Sequence, residues 1–494
     1  MFFIKNNKIF FFVSIFFLIK VFLATYIPLI NDEAYAIAVS KQFSLSFFDH
    51  PPLGFLSSQI FPKIFGFENE VLYRLPFLLY GLATSIVLYE IGKAIKNHNV
   101  GIWSVIIYNL APFYFFSGGF FVVPDGPLNF GIALVGLCII KLNFENNKND
   151  NFYLILLGFS LALCFGSKYQ GFLIGLGCLL VLIISKKRNF FLKNPFFYLC
   201  LLIGLVGLLP TITWNHNNDW ISFKFQGSRQ ENEINPLNFV FMLIGLMIYL
   251  LPQTLIIPLV NLFHLLKNRF KGFNYNTQEF YLILLALPNI FVFTIIFITS
   301  DKTFPHWIIP GWLLILPIFA KQLIGIINKT KKYFFLSSAI LIWGLLGILI
   351  IHSQTGFLTI SKDPLPKWDN TLELINWEPL KKPLQKIIES KGDIGKIKLA
   401  AFTWTEAGQV STLMDNKFYM VVVEGKEHHF QFLKKFEKMG PTILVKLSLG
   451  KNPDIISMLN RLKVFDNNAQ HIQNVSIKRG RKEYATASLF LFKQ

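Results

Sequence analysis

The stretch FFFVSIFFLIKVFLATYIPLI, residues 10–30, is long enough to cross the hydrocarbon core of a bilayer, which takes about 20 helical residues. Lys5 and Lys8 precede it as in a signal peptide, yet the run is too long and has no small-x-small cleavage pattern, so it reads as an uncleaved first span. Apolar runs of this kind recur as far as Ile351. The whole chain agrees: of 494 residues, 53% are hydrophobic and 15% charged, against about a quarter charged in soluble domains. Spans are expected near 10–30, 72–92, 100–116, 127–141, 152–166, 170–185, 196–213, 237–262, 280–299, 306–320 and 333–351. The expected fold class is a polytopic α-helical membrane protein of about eleven transmembrane helices over residues 1–352, followed by one soluble unit at 353–494.

The formal charge of +19 does not point to nucleic acid, because the basic residues are scattered between apolar segments and form no stripe interleaved with aromatics. Lys and Arg instead cluster in alternate connections: Lys93 and Lys96, Lys141 and Lys148, Lys186 to Arg188, Lys267 to Lys271, and Lys329 to Lys332. The positive-inside rule makes these loops and the N-terminus cytoplasmic. The opposite loops hold Asp32, Glu33, Asp49, Glu68, Glu70 and Asp125, and an odd span count places the tail outside, in the periplasm if the cell has two membranes. Cys138, Cys164, Cys178 and Cys200 lie in or beside apolar runs without CxxC spacing, so neither disulfides nor a zinc site is expected.

From about Ser353 the composition shifts. A linker at Asp363-Pro364-Leu365-Pro366 precedes strand-like runs at 396–403, 418–423 and 442–447, with short helices expected at 406–415, 427–439 and 453–462. The tail is thus a small α/β domain. It carries 22 Lys and Arg against 14 Asp and Glu, a surface suited either to solvent or to anionic headgroups.

The chemistry is sought at the external helix ends. Asn31-Asp32-Glu33-Ala34-Tyr35 puts two adjacent carboxylates at the exit of a hydrophobic span, where partial desolvation disfavours their charged forms. The plain alternative is an acid pair capping the next helix. Asp125 stands in Val123-Pro124-Asp125-Gly126-Pro127, where its alternative is an ordinary N-cap. Cationic groups on the same side are Arg74, Lys168 beside Tyr169, Arg229 and Lys302, together with the imidazoles of His50, next to Asp49, and His306. Carboxylates and cations converging at a membrane surface suit a lipid that carries a phosphate and a sugar. Asp32, Asp49 and Asp125 are also the candidate ligands of a divalent cation.

Asp32-Glu33-Ala34-Tyr35-Ala36 resembles the Asp-Glu motif in the first external loop of GT-C superfamily glycosyltransferases, namely the protein O-mannosyltransferases and the lipid A aminoarabinose transferases. Phe48-Asp49-His50-Pro51 resembles the latter's Phe-Glu-Lys-Pro, with Phe65-Gly66 and Arg74 following in order. Val123-Pro124-Asp125-Gly126-Pro127 resembles their second external Asp motif, and Gly166-Ser167-Lys168 their Thr-Lys-Gly. Three positions depart from that pattern: His50 stands for a Lys, Asp49 for a Glu and Tyr169 for a Gly. The resemblance implies a transferase that takes a sugar from a polyprenyl phosphate carrier, undecaprenyl phosphate in a bacterium. Asp32, Asp125 and Glu33 would be catalytic, and Asp49, His50, Arg74, Lys168, Tyr169, Arg229, Lys302 and His306 would hold donor phosphate and substrate. The implied acceptor is lipid A or another envelope glycolipid, with a protein hydroxyl or polysaccharide as the alternative. A chemistry of this kind needs no nucleotide-binding glycine loop, and the chain has none.

A lipid or sugar carrier is the rival class, but transporters tend to show repeated halves and polar groups at mid-membrane. No internal repeat is evident here, and the acids stand at helix ends. Trp214, Trp220, Trp307 and Trp312 read as interfacial anchors. His428-His429 reads as a pair of surface residues outside the site.

Overall fold

The computed structural model describes residues 7–144, 149–229, 234–267, 275–300, 303–325, 329–358, 370–391, 396–425, 427–433, 440–449, 453–480 and 482–493. The linker 363–366 and Lys302 lie outside them. Apolar chain in lipid must satisfy its backbone hydrogen bonds internally, so the hydrophobic runs become helices. Among the described residues, eight are long and apolar enough to span a membrane: 8–26, 70–95, 125–144, 150–167, 195–217, 278–298, 305–325 and 333–355. Gly171–Ile184 and Pro236–Leu250 are shorter apolar helices.

Some expected spans are interrupted, and proline supplies the reason. The run 237–262 breaks at Leu251, where φ is 72°, into Pro236–Leu250 and Pro252–Lys267. The run 100–116 breaks in the same way, at Ala111 before Pro112. The first span ends at Tyr26, and Asn31–Ser40 starts a helix of its own after Pro28.

The backbone clusters into two compact units, one of residues 1–23, 44–57 and 74–343, the other of residues 24–43, 58–73 and 344–494. In the first, a large core joins Leu128 to Ile139, Leu154 to Leu161, Leu282, Leu285 and Leu313 to Phe319, while Leu201, Leu202 and Leu205 face outward as lipid-facing side chains do. All four cysteines are free thiols.

The second unit is built on a five-stranded sheet of β1 (Lys398–Ala401), β2 (Tyr419–Val422), β3 (Pro441–Leu449), β4 (Gln470–Arg479) and β5 (Lys482–Lys493), in the order β2-β1-β3-β5-β4. Parallel pairs flank β1, with Leu399 opposite Met420 and Ile443. β5 runs antiparallel to β3 and β4, with Leu444 opposite Phe490. Ala400, Phe402, Leu444, Phe490 and Phe492 pack with Met458 and Leu462 of the helix Ile455–Leu462 on one face. The three expected strands are present, but the β4–β5 hairpin and the helix Lys381–Ser390 were not legible in the sequence. Of the helix expected at 427–439, the described part is the short 3-10 turn His429–Phe432, and 434–439 lie outside the described residues.

Helix Trp404–Leu413 is fixed by a capping box: Glu406 N–H donates to Thr403 Oγ1 at 3.3 Å and Thr403 N–H to Glu406 Oε2 at 3.2 Å. The helix Asn31–Ser40 belongs to the same unit and packs on it, with Gln409 Nε2 donating to Leu29 O at 2.9 Å and Asn31 Oδ1 at 3.1 Å. His428 and His429 are buried, contrary to their surface reading, because the His429 N–H donates to the Tyr35 hydroxyl at 2.9 Å and draws the pair inward.

Candidate active site

In the first unit, Asp125 opens the helix Asp125–Phe144, and Lys168 follows the helix Asp150–Ser167 in extended conformation. The two meet across 43 residues of sequence, Lys168 Nζ donating to both carboxylate oxygens at 3.0 Å. Both residues are buried, at 5% and 8% exposure. The carboxylate is therefore held by a cation, and an ordinary helix cap does not describe it.

The Asp49-His50 turn is held by its neighbours. Gln226 Nε2 donates to Asp49 O at 3.0 Å, Phe48 packs on Phe225 at 4.6 Å, and Phe47 N–H donates back to His50 O at 3.0 Å. Pro52–Ser57 then approaches the Asp125 loop through Gly54, where an added Cβ would lie 2.9 Å from Pro124 Cα. Only a residue without a side chain permits that approach.

His50 Nε2 lies 3.7 Å from Asp49 Oδ2, while its Nδ1 is buried without a hydrogen-bond partner. Burial, and then the nearby charges of Lys168 and Arg229, hold the imidazole well below its ordinary pKa, so it is neutral at pH 7. Arg229 lies over Phe225 at 4.4 Å and Trp307 at 5.5 Å; burial draws its pKa down and Asp49 opposes that shift. Burial raises the Tyr169 hydroxyl pKa, with the polar side chains of Ser222, Asn215 and Ser46 close by. His306 is stacked between Phe113 and Phe304, within electrostatic reach of Lys168 and Asp125.

Arg74 is placed differently. It is 0% exposed, its guanidinium 4.8 Å from the centre of the Phe120 ring. Trp214 and Trp312 are core residues, Trp307 supports Arg229, and Trp220 alone of the four is exposed. Sequence reasoning passed over Lys20, which is 2% exposed with its ammonium 4.8 Å from the Phe115 ring and 5.8 Å from that of Tyr108. Its signal was present, as the lone charge inside an apolar run.

Asp32 and Glu33 belong to the second unit. Glu33 is fully buried and Glu33 Oε2 accepts the Ile30 N–H at 3.1 Å, so it caps the helix Asn31–Ser40. Asp32 is an electrostatic neighbour of Glu373, whose pKa is raised by burial and by that charge. Among the described residues no three His, Cys, Asp or Glu side chains gather as metal ligands. Both Asp125 oxygens accept from Lys168.

A multi-helix membrane unit in a chain that finishes in a small α/β sheet is a fold shared with solved membrane proteins. The particular likenesses are these. Residues 49–214 match the family model of dolichyl-phosphate-mannose-protein mannosyltransferases, about a third of the chain. The structure of ArnT from Cupriavidus metallidurans bound to undecaprenyl phosphate superposes with a TM-score of 0.61, at 13% identity over 98% of both chains. Its apo form gives 0.60 at 14% identity and the same coverage. The archaeal oligosaccharyltransferase AglB from Archaeoglobus fulgidus, in complex with an inhibitory peptide and a dolichol-phosphate, gives 0.52 at 10% identity, over 83% of this chain and 64% of its own. No curated protein matches the chain by sequence.

Proposed function

We propose that the chain is a glycosyltransferase that moves a sugar from a polyprenyl phosphate carrier, undecaprenyl phosphate in a bacterium, to an acceptor at the external face of the inner membrane. The observation that carries this reading is the gathering of Lys168, Arg229 and His50 around Asp49 and Asp125. The family-model match runs through Asp49, His50, Asp125 and Lys168, which supports the same reading. The domain division at residue 352, with the N-terminus cytoplasmic and the tail periplasmic, belongs to it.

In the reaction, an acceptor hydroxyl attacks the anomeric carbon of the carrier-linked sugar. The bond from that carbon to the phosphate oxygen breaks with its electron pair, and polyprenyl phosphate leaves. The hydroxyl proton passes to a carboxylate, a role we assign to Asp32. Lys168 and Arg229 neutralise the leaving phosphate, and His50 offers it a buried nitrogen that has no other partner. Asp125 fixes the Lys168 ammonium, and Glu33 fixes the helix that carries Asp32. The acceptor we favour is lipid A or another envelope glycolipid, because the order of the motifs resembles that of the aminoarabinose transferases; a protein hydroxyl is the second choice.

The test is transfer by the purified chain in lipid nanodiscs from a labelled polyprenyl phosphate sugar to an envelope lipid extract. Asp32→Asn should abolish product with folding intact. Transfer from a nucleotide sugar without any lipid carrier, or near-wild-type turnover by Asp32→Asn, refutes the reading. Mass spectrometry of envelope lipids from cells lacking the chain then identifies the acceptor.

A further inference from the structure

The second unit contains a cavity of about 190 Å³ that none of the residues considered above explains. Its wall combines four local segments of that unit, one of them Ser411 of the helix Trp404–Leu413. Ala38, Lys41 and Gln42 come from the end of the helix Asn31–Ser40 and the turn after it. Asn416 to Met420 lead into β2, and Phe430 and Leu433 come from the turn around His429. One side is aromatic and aliphatic, and the other offers ammonium, amide and hydroxyl groups.

The wall is built with care in places where the chain could have been relaxed. Asp415 and Asn416 are consecutive non-glycine residues at φ 56° and 53°, a left-handed turn that is uncommon even for Asp and Asn. Asn416 is locked there by Ser411 Oγ donating to its Oδ1 at 3.0 Å and by its own Nδ2 donating to Glu68 Oε2 and the Tyr73 hydroxyl, each at 3.2 Å. The turn sets Lys417 and Tyr419 at the rim. The opposite wall depends on Gly408, where an added Cβ would lie 2.6 Å from the Tyr35 N; without that approach the helix carrying Lys41 would stand off. Tyr35 in turn holds Phe430 at 5.8 Å.

The charge balance is positive. Lys41 pairs with Glu68, and Lys417 and Lys381 both pair with Asp415. Lys63 is a further electrostatic neighbour of Lys41, and Glu70 acts with Asp415 on Tyr73, so among the described residues four cations stand against three carboxylates. Burial and then Lys63 draw the Lys41 pKa down while Asp415 opposes, so an arriving anion relieves a strained ammonium.

We propose that this cavity binds an acidic sugar, one ring bearing a phosphate or a carboxylate, as the recognition subsite for the acceptor. The cavity falls below the size of drug-sized sites and fits a single ring. Tyr419, Phe418 and Phe430 offer apolar faces to the sugar, Gln42 an amide to its hydroxyls, and Lys41 and Lys417 charge to its anion. The word acceptor rests on the transferase reading above; the binding itself does not.

The experiment is saturation-transfer NMR on the full chain in nanodiscs, with glucose 1-phosphate, glucuronate, glucose and inorganic phosphate as separate probes. Either acidic sugar should bind at least about tenfold more tightly than glucose or inorganic phosphate. Which of the two is tighter assigns the anion as phosphate or carboxylate. Lys417→Gln should weaken the acidic sugars about threefold and Lys417→Glu about tenfold, with glucose unchanged. Lys382→Glu, on the exposed face of the helix Lys381–Ser390, controls for overall charge and should change nothing. Gln42→Ala should weaken glucose and acidic sugars alike. Equal binding of glucose and the acidic sugars, equal binding of inorganic phosphate, or indifference to Lys417→Glu overturns the proposal. Acidic-sugar binding in a chain that shows no transfer from any polyprenyl donor would leave the cavity assigned and refute the transferase reading instead.

Discussion

Replacing Asp125 by Asn keeps the shape of the side chain and removes the charge that holds Lys168. At 3.0 Å and an effective dielectric of about 20, the attraction between the two is about 5–6 kcal/mol before the cost of dehydrating either group. Both partners are nearly buried, so the ammonium left behind has little water to turn to. Breaking such a pair from one side costs about 3–5 kcal/mol, whereas removing both charges restores most of the loss. Asp125→Asn and Lys168→Met should therefore each destabilise the chain by about 3 kcal/mol, and the double variant should be no worse than either. The measurement is reversible unfolding in mixed detergent micelles, followed by Trp fluorescence, on the wild type and the three variants. Transfer should be lost in all three, because the double variant regains stability without regaining the phosphate-facing cation. Strictly additive losses would show that the two residues contribute separately and would refute the pairing; near-wild-type transfer by the double variant would refute its place in the chemistry.

Gly54→Ala introduces a methyl 2.9 Å from Pro124 Cα, so backbone must shift on one side of the site. We expect a loss of about 1–3 kcal/mol in stability and a fall in turnover of about 100-fold; unchanged turnover would mean that the Asp49 and Asp125 loops do not act together. Burial holds His428 near a pKa of about 4 and burial with His428 holds His429 near about 3, both below the free imidazole. As pH falls below about 6.5 the unfolded chain takes up these protons first, so stability is full above that pH and declines towards pH 4. In the His428→Gln, His429→Gln double variant the unfolding midpoint should vary less over this range, and an unaltered slope would refute the burial argument. Single cysteines placed near Asp32, Asp125 and Lys168 and in the tail, in a background lacking the four native thiols, should react with an impermeant thiol reagent in intact spheroplasts. Labelling only after lysis would invert the topology and remove access to a flipped lipid-linked sugar.

What could be read along the chain is what depends on neighbours in sequence and on solvent. A run such as 10–30 has one low-energy state in lipid, and the carboxylates of Asp32, Glu33 and Asp125 announce themselves because they interrupt apolar surroundings at helix ends. The parallel strands of the tail were legible from apolar runs that both faces of a sheet bury. The β4–β5 hairpin was not, since Gln470–Arg479 is largely polar at the sheet edge and gains its strand conformation from pairing with β5. Partner choice is the part that only tertiary structure decides. Six cationic or imidazole side chains stood on the expected external side, and nothing local distinguishes Lys168, which grips Asp125, from Arg74, which lies beneath Phe120. Local sequence determines that a charge exists, whereas its partner and its exposure depend on how helices distant in sequence pack, down to the missing side chain at Gly54.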